Sequence, residues 1–142
     1  VSDRMINLVD IFATVQELVG GEVLPPEEAG ADSFSFYDEL IGERDISAVR
    51  PHMMVNNMEG VMAIRKGPWK YIEGVAAGPL KEGVGKGVLR QLEPQLYNLD
   101  KDISETKNSI HDRPDIHEDL QYTLDRIRAV NSNKVSNGKL KC

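Results

Sequence analysis

The stretch "VMAIRKGPWKYI", residues 61–72, decides the fold because it has the pattern of two short strands joined by a tight turn. Apolar residues with a preference for strands fill both halves, and Gly67-Pro68 stands between them. Glycine accepts a positive φ, and proline fixes its own φ and lacks an N–H, so this pair favours a turn. The stretch therefore predicts a β-hairpin with three basic residues near its bend: Arg65, Lys66 and Lys70.

The residues around this hairpin predict the rest of a small sheet and one long helix. Residues 52–57 and 95–99 have the composition of strands. Pro114 suits the first turn of a helix, and the apolar stripe after it recurs at steps of four, four and three residues: Ile116, Leu120, Leu124 and Ile127. We therefore predict a helix over 114–130, about 25 Å long, and an α+β fold in which a small antiparallel sheet packs against this C-terminal helix. An aromatic residue on a strand usually belongs to the core, so we expect Trp69 to be largely buried against the helix.

The first third of the chain predicts two shorter helices. We expect the first to begin at Asp10, as its cap, and to end at Gly20 in the left-handed conformation. Its apolar residues recur at helical spacing: Ile11, Val15, Leu18 and Val19. The second lies within residues 33–42 and closes at Gly42, and we expect three of its apolar side chains to face inward: Phe36, Leu40 and Ile41. Two stretches are predicted to be loops, residues 22–32 and the glycine-rich residues 74–94.

Composition excludes several classes of protein. The chain has 142 residues, of which 40% are hydrophobic, so it suits one domain or subdomain with a modest core. The formal net charge of −6 argues against a general nucleic-acid binder. No run of 18 apolar residues exists, so we expect no membrane-spanning segment. The single cysteine excludes an intrachain disulfide and leaves the compartment undetermined.

Four blocks of the sequence, in order, match the patterns of one enzyme family. "LVDIFATVQELVG" (8–20) resembles "vDifpTllelaG", and "ADSFSFYDELIG" (31–42) resembles "DG.Sf.plL.G". "GVMAIRKGPWKYI" (60–72) resembles "G..aiR.GkWKli", and "QLYNLDKDISETKN" (95–108) resembles "eLYdL..DPgEt.N". The chain therefore resembles the C-terminal portion of a formylglycine-dependent sulfatase of the arylsulfatase-like, alkaline-phosphatase-like superfamily.

This resemblance implies a division of the chain into three parts. Residues 1–50 would form the helical end of the catalytic domain with its connecting loops, residues 51–130 the C-terminal subdomain, and residues 131–142 a frayed tail. The subdomain would pack beside a large α/β catalytic domain, which is the missing N-terminal partner. The parent enzyme would hydrolyse sulfate esters of an aryl compound or a carbohydrate, would use calcium as its cofactor, and would be periplasmic or secreted.

The groups that carry out this chemistry are missing from these 142 residues. The family makes its formylglycine from the cysteine of a Cys-x-Pro-Ser-Arg type motif, and it holds calcium with Asp and Asn side chains. Here the cysteine, Cys142, is the last residue, so we expect no catalytic residue, no metal ligand and no sulfatase activity in this chain alone. Polar residues at a strand end are ordinary turn residues, but the resemblance makes three of them candidates for the rim of the substrate pocket: His52, Asn56 and Asn57. Many arylsulfatase-like relatives carry histidines close to this position, which puts the substrate class in question.

Two other interpretations stay open. The chain could be a stand-alone, non-catalytic binding or accessory module derived from a sulfatase, or an unrelated α+β interaction domain, which would require four ordered matches to be coincidental. The absence of an initiator methionine favours a fragment. In that case the first helix should expose apolar residues that the small sheet cannot cover: Val9, Phe12 and Val19.

Overall fold

The computed structural model describes residues 4–20, 30, 32–42, 50–58, 60–75, 78–79, 88–89 and 91–136. Residues 78–79, 88–89 and 131–136 are described by their backbone alone. The chain divides into two compact units, Val1–Met53 and Met54–Cys142, here called the first and the second unit. Each unit is described by itself below.

Among its described residues, the first unit contains two helices, α1 (Asp10–Leu18) and α2 (Tyr37–Ile41), at the predicted places. Gly20 has a φ of 75° and follows α1, and Gly42 has a φ of 80° and caps α2, as predicted. Both glycines take the left-handed conformation that commonly ends a helix. The prediction that Asp10 caps α1 is wrong: no side-chain hydrogen bond caps this helix among the described residues, and Asp10 lies buried in its first turn.

The second unit contains a four-stranded sheet with the order β1-β2-β3-β6. In the part of the chain that the structure describes, the strands in chain order are β1 (Met53–Asn56), β2 (Met62–Lys66), β3 (Trp69–Ile72), β4 (Gly78–Pro79), β5 (Val88–Leu89) and β6 (Gln95–Asn98). β3 pairs antiparallel with both β2 and β6. Lys66 pairs with Trp69, so the hairpin has a two-residue loop, Gly67-Pro68. Gly67 has a φ of 55°, and proline keeps a negative φ, so this loop matches a type II′ turn. The hairpin prediction is confirmed.

A long helix, α3 (Pro114–Ser136), covers one face of this sheet and supplies two of the six buried residues of its core cluster. Leu120 and Leu124 are 1% exposed, and Ile116 and Ile127 pack against the same cluster. The sheet contributes Ile64, Tyr71 and Leu96, and Ile110 completes the cluster. The predicted α+β fold and the apolar stripe are confirmed, while the helix runs six residues beyond its predicted end at residue 130.

Three predictions about side chains and loops are corrected. Leu40 and Ile41 are exposed rather than turned inward, because polar side chains fill the interior of the first unit. Trp69 is half-buried, since it lies at the margin of the sheet, in the first position of β3 and beside the turn. The stretch 74–94 is not a simple loop: β4 pairs with β5, and a β-bridge joins Val75 to Leu92. The predicted loop over 22–32 falls outside the described residues except at positions 30 and 32.

Candidate functional site

The three residues predicted for a pocket rim lie near the two ends of β1. His52 directly precedes the strand and is half-buried, and Asn56 ends it with an exposed side chain. Asn57 follows, and its Oδ1 accepts a hydrogen bond from the Val61 N–H at 2.9 Å. The Asn57 N–H donates to the Val61 carbonyl at 3.1 Å, and its own carbonyl accepts from the Gly60 N–H at 3.0 Å. Asn57 therefore shapes the turn between β1 and β2, and the role of all three residues at a pocket rim stays a prediction.

Two of the basic residues near the hairpin bend are neutralised within the second unit. Lys66 Nζ lies 2.7 Å from Asp119 Oδ2 on α3, and Lys70 Nζ lies 2.7 Å from Glu105 Oε1 in the loop after β6. Arg65 Nε donates to the Gly67 carbonyl at 3.1 Å, across its own turn. Ion pairs therefore connect the hairpin bend to α3 and to the loop after β6. These contacts indicate that the bend has a structural role in the sheet.

Trp69 packs against the core cluster and also contacts a cation. The guanidinium carbon of Arg113 lies 5.3 Å from the centre of the tryptophan ring, within the range of a cation–π contact. Arg113 also forms a two-pronged ion pair with Asp115, at 2.9 and 2.7 Å. The ring therefore anchors the start of α3 to the sheet margin.

A buried ion pair, Asp10–Arg50, occupies the centre of the first unit. Arg50 Nε donates to Asp10 Oδ2 at 3.2 Å, and Arg50 Nη2 donates to Oδ1 of the same carboxylate. Nη2 also donates to the Asp32 carbonyl at 2.6 Å, and the guanidinium lies 4.6 Å from the centre of the Phe34 ring. Asp10 is 1% exposed and Arg50 is 7% exposed. Arg50 therefore joins α1 to the segment before α2.

Polar side chains along one side of α1 hold this segment in an ordered position. Asp10 Oδ1 accepts from the Phe34 N–H and Thr14 Oγ1 accepts from the Phe36 N–H, both at 3.0 Å. Two more bonds join the same elements, from the Ala13 N–H to Ser33 Oγ and from Ser35 Oγ to Glu17. These groups satisfy backbone N–H groups that would otherwise be buried without partners.

The surroundings of Asp10 favour its charged form. Burial alone would raise the pKa of this carboxyl, but the hydrogen bonds from Arg50 and from the N–H groups of Asn7 and Phe34 outweigh it and hold the pKa below the ordinary value. The sequence contained a signal for this arrangement that we did not use. Four polar or small residues recur at helical spacing on the side of α1 that lies inward: Asp10, Ala13, Thr14 and Glu17.

The large apolar residues of α1, together with Val19 directly after it, lie on the opposite side and are exposed. We call them the outer face of α1: Ile11, Phe12, Val15, Leu18 and Val19. Their exposed fractions range from 45% to 75%. At about 100° per residue, this face spans about 120° and is centred about 150° from the polar row. The expected exposure of Phe12 and Val19 is confirmed, as is that of Val9, which precedes the helix.

The described residues do not supply a cluster of acidic ligands for a metal ion. Within the described ranges, no group of three His, Cys, Asp or Glu side chains could hold one. Calcium prefers six or more oxygen ligands, so these residues do not fit the cofactor that the family resemblance implies. Among the helices that the structure describes, none is long and apolar enough to span a bilayer.

Comparison with curated proteins gives matches to two sulfatases. The chain is 30% identical over 124 residues to an N-acetylgalactosamine-6-O-sulfatase of Bacteroides thetaiotaomicron. These aligned residues cover 87% of this chain and 24% of the sulfatase. It is also 30% identical over 130 residues to arylsulfatase K of Danio rerio, and this alignment covers 86% of this chain and 22% of arylsulfatase K. The chain thus spans about a quarter of the length of the curated relatives it matches. No protein-family model matches it.

Comparison with solved structures gives the same outcome. The fold matches a protein, labelled as a 6S sulfatase, from a Bacteroides thetaiotaomicron locus for the metabolism of multiple glycosaminoglycans. The TM-score is 0.64 and the identity 31%, and the match covers 84% of this chain and 24% of that structure. This agreement confirms the predicted family resemblance, and a coverage of about a quarter fits a C-terminal portion.

Proposed function

We propose that the chain, which resembles sulfatases in sequence and in fold, forms the C-terminal part of a sulfatase whose catalytic centre lies outside these 142 residues. One observation carries this proposal: the match extends over 124 residues yet takes up 24% of the relative. Since the second unit has only 89 of the 142 residues, a match of this length includes parts of both units. The two units therefore belong to one stretch of a sulfatase chain.

The parent enzyme hydrolyses sulfate esters, and this part supports the catalytic domain without supplying reacting groups. Hydrolysis needs a nucleophile, a cation that offsets the sulfate charge, and an acid for the leaving alcohol. By family resemblance, the catalytic domain provides a formylglycine and binds calcium. The buried charged residues of the first unit support a structural role for this part of the enzyme. Asp10 and Arg50 bind each other and neighbouring backbone groups.

The substrate is a sulfate ester of a carbohydrate or of an aryl alcohol. One relative bears the name of a carbohydrate sulfatase and the other that of an arylsulfatase, so both kinds of substrate belong in the test. In the parent enzyme, His52 and Asn56 contribute to the rim of the substrate pocket together with Asn57. For the exposed Asn56, Asn56→Ala should raise KM and leave kcat unchanged, because a rim contact binds substrate and transition state alike.

The test is to express the complete open reading frame that contains these 142 codons, with an affinity tag at the end of that frame. We expect a polypeptide of roughly 500 residues, the length of which 124 residues are 24%. It should hydrolyse a chromogenic aryl sulfate or N-acetylgalactosamine 6-sulfate, and a calcium chelator should reduce the rate. The 142-residue chain alone, as the control, should show no turnover.

Two outcomes would contradict the proposal. A reading frame that yields only the 142-residue protein, without turnover, would favour the stand-alone accessory module. Calcium-dependent turnover by the 142-residue chain alone would place a catalytic centre inside it.

A further inference from the structure

An exposed tyrosine lies on the side of α3 that points away from the sheet. Tyr122 is placed about 160° to 200° around the helix from the core residues Leu120 and Leu124. It is 64% exposed, more than any other aromatic residue in the described part of the chain. The packing of the second unit therefore does not require an aromatic side chain at this position.

An arginine one turn further along α3 contacts the exposed ring. The guanidinium carbon of Arg126 lies 5.8 Å from the centre of the Tyr122 ring, within the range of a cation–π contact. Two nearby arginines, Arg113 and Arg128, are held by carboxylates in ion pairs. Arg126, by contrast, forms no ion pair or hydrogen bond with a residue that the structure describes. Its N–H donors are therefore available to an anionic ligand.

The acidic residues around this pair restrict how an anion can approach it. Asp119 and Asp125, on the two flanks, are already held in ion pairs with cations. Glu118 is exposed and lies one turn before Tyr122. An anion is thus favoured at the Arg126 end, and a hydroxyl donor at the Glu118 end. These residues form a row about 12 Å long, here called the outer row of α3: Glu118, Tyr122 and Arg126.

The chemistry of the outer row matches that of a sulfated sugar. The C–H face of a sugar ring packs against an aromatic ring because the contact buries apolar surface on both. A guanidinium presents parallel N–H groups to an oxyanion such as sulfate, and a carboxylate accepts hydrogen bonds from hydroxyl groups. We propose that the outer row of α3 is a binding site for a sulfated sugar unit of a polysaccharide.

This site would serve the parent enzyme by holding a polymeric substrate. The inference rests on the proposed function for its choice of a carbohydrate sulfate. A polysaccharide that is bound through one sugar unit stays close to the enzyme, which raises the effective concentration of its other sulfate esters. A single sulfated sugar gains no such advantage, so the outer row should matter for polymers alone.

Binding of a sulfated polysaccharide tests the proposal. The protein from the complete reading frame would be titrated on immobilised chondroitin 6-sulfate and on unsulfated chondroitin. We expect Tyr122→Ala and Arg126→Gln each to weaken binding of the sulfated polymer roughly fivefold, as for the loss of one exposed contact. The unsulfated polymer should bind more weakly and should not respond to Arg126→Gln.

The matched control is Arg113→Gln. It removes the same charge from an exposed arginine that also lies on an aromatic ring, that of Trp69. Asp115 already occupies the donors of Arg113, so this substitution should leave the affinity for chondroitin 6-sulfate unchanged. The KM for free N-acetylgalactosamine 6-sulfate should stay the same in all three variants.

The outcomes separate this inference from the proposed function. An active sulfatase in which Tyr122→Ala and Arg126→Gln bind chondroitin 6-sulfate as well as Arg113→Gln does would leave the proposed function standing and overturn the inference. Equal binding of the sulfated and the unsulfated polymer would also overturn it, because sulfate would then not be the recognised group. Selective loss of binding in the first two variants of a protein without sulfatase activity would support the site and contradict the proposed function.

Discussion

Replacing Asp10 by asparagine tests the role of the polar centre of the first unit. The substitution keeps the shape of the side chain but removes the negative charge that faces Arg50. Arg50 is 7% exposed, so its guanidinium would remain buried opposite a neutral amide. Breaking a buried ion pair by removing one partner destabilises by about 3–5 kcal/mol. At 1.36 kcal/mol for each factor of ten, the lower bound corresponds to a change of about 100-fold in the opening equilibrium.

Amide hydrogen exchange measures this effect where it should occur. The N–H groups of Asn7 and Phe34 donate to the Asp10 carboxylate at 2.7 and 3.0 Å. Their protection in the 142-residue chain should fall about 100-fold, or disappear where the original protection is smaller.

The matched control is Asp115→Asn, which breaks a pair that also has two hydrogen bonds, from Arg113, but is exposed. It should change protection little, because exposed pairs contribute little to stability. A loss at Asn7 and Phe34 no larger in Asp10→Asn than in this control would refute the reasoning.

The remaining predictions concern the core, the hairpin and pH. Leu124→Ala should reduce the free energy of unfolding by about 3–4 kcal/mol. Trp69→Ala should reduce it by only about 2 kcal/mol, because Trp69 is half-buried. A larger loss for Trp69→Ala than for Leu124→Ala in denaturant titration would contradict this. Gly67→Ala should destabilise by about 1 kcal/mol in the same assay, because its φ of 55° strains any side chain although nothing lies within 4 Å of the new Cβ. The folded pKa of Asp10 lies below its unfolded value, so its contribution to stability is complete above the unfolded pKa of about 3.9 and is lost as pH falls from there through the folded pKa. The Thr14 methyl NMR signal should follow that loss during acid titration, and a signal that stays unchanged until the whole chain unfolds would exclude it.

The sequence predicted the second unit well because local patterns determine it. The two-residue loop at Gly67-Pro68 sets the register of the hairpin, and the stripe through Leu120 and Leu124 identifies the side of α3 that meets the sheet. Trp69 was placed too deep because its type favours burial, whereas its position beside the turn puts it at the sheet margin. Burial at a margin depends on neighbours that are distant in sequence, here Arg113.

The first unit was harder to predict because its interior is polar. Amphipathic spacing in α1 shows that the helix has two sides, but it does not show which side lies inside. The partner that fixes the inward side is Arg50, which is 40 residues away from Asp10, and no local pattern joins them. The role of His52, Asn56 and Asn57 at a pocket rim is hard to predict for the same reason. A substrate pocket would be formed by elements outside these 142 residues.

The pairing of the sheet with α3 has a consequence for how the protein is made. The side chains that cover the sheet come late in the chain: Leu124 follows the last sheet residue, Asn98, by 26 positions. At about 5–20 residues per second, a ribosome needs roughly 1–5 s to add that stretch. During this interval Ile64, Tyr71 and Leu96 have no helix to cover them. The nascent sheet is therefore a site where a chaperone would bind, and where a slow codon after residue 98 would prolong the risk of aggregation.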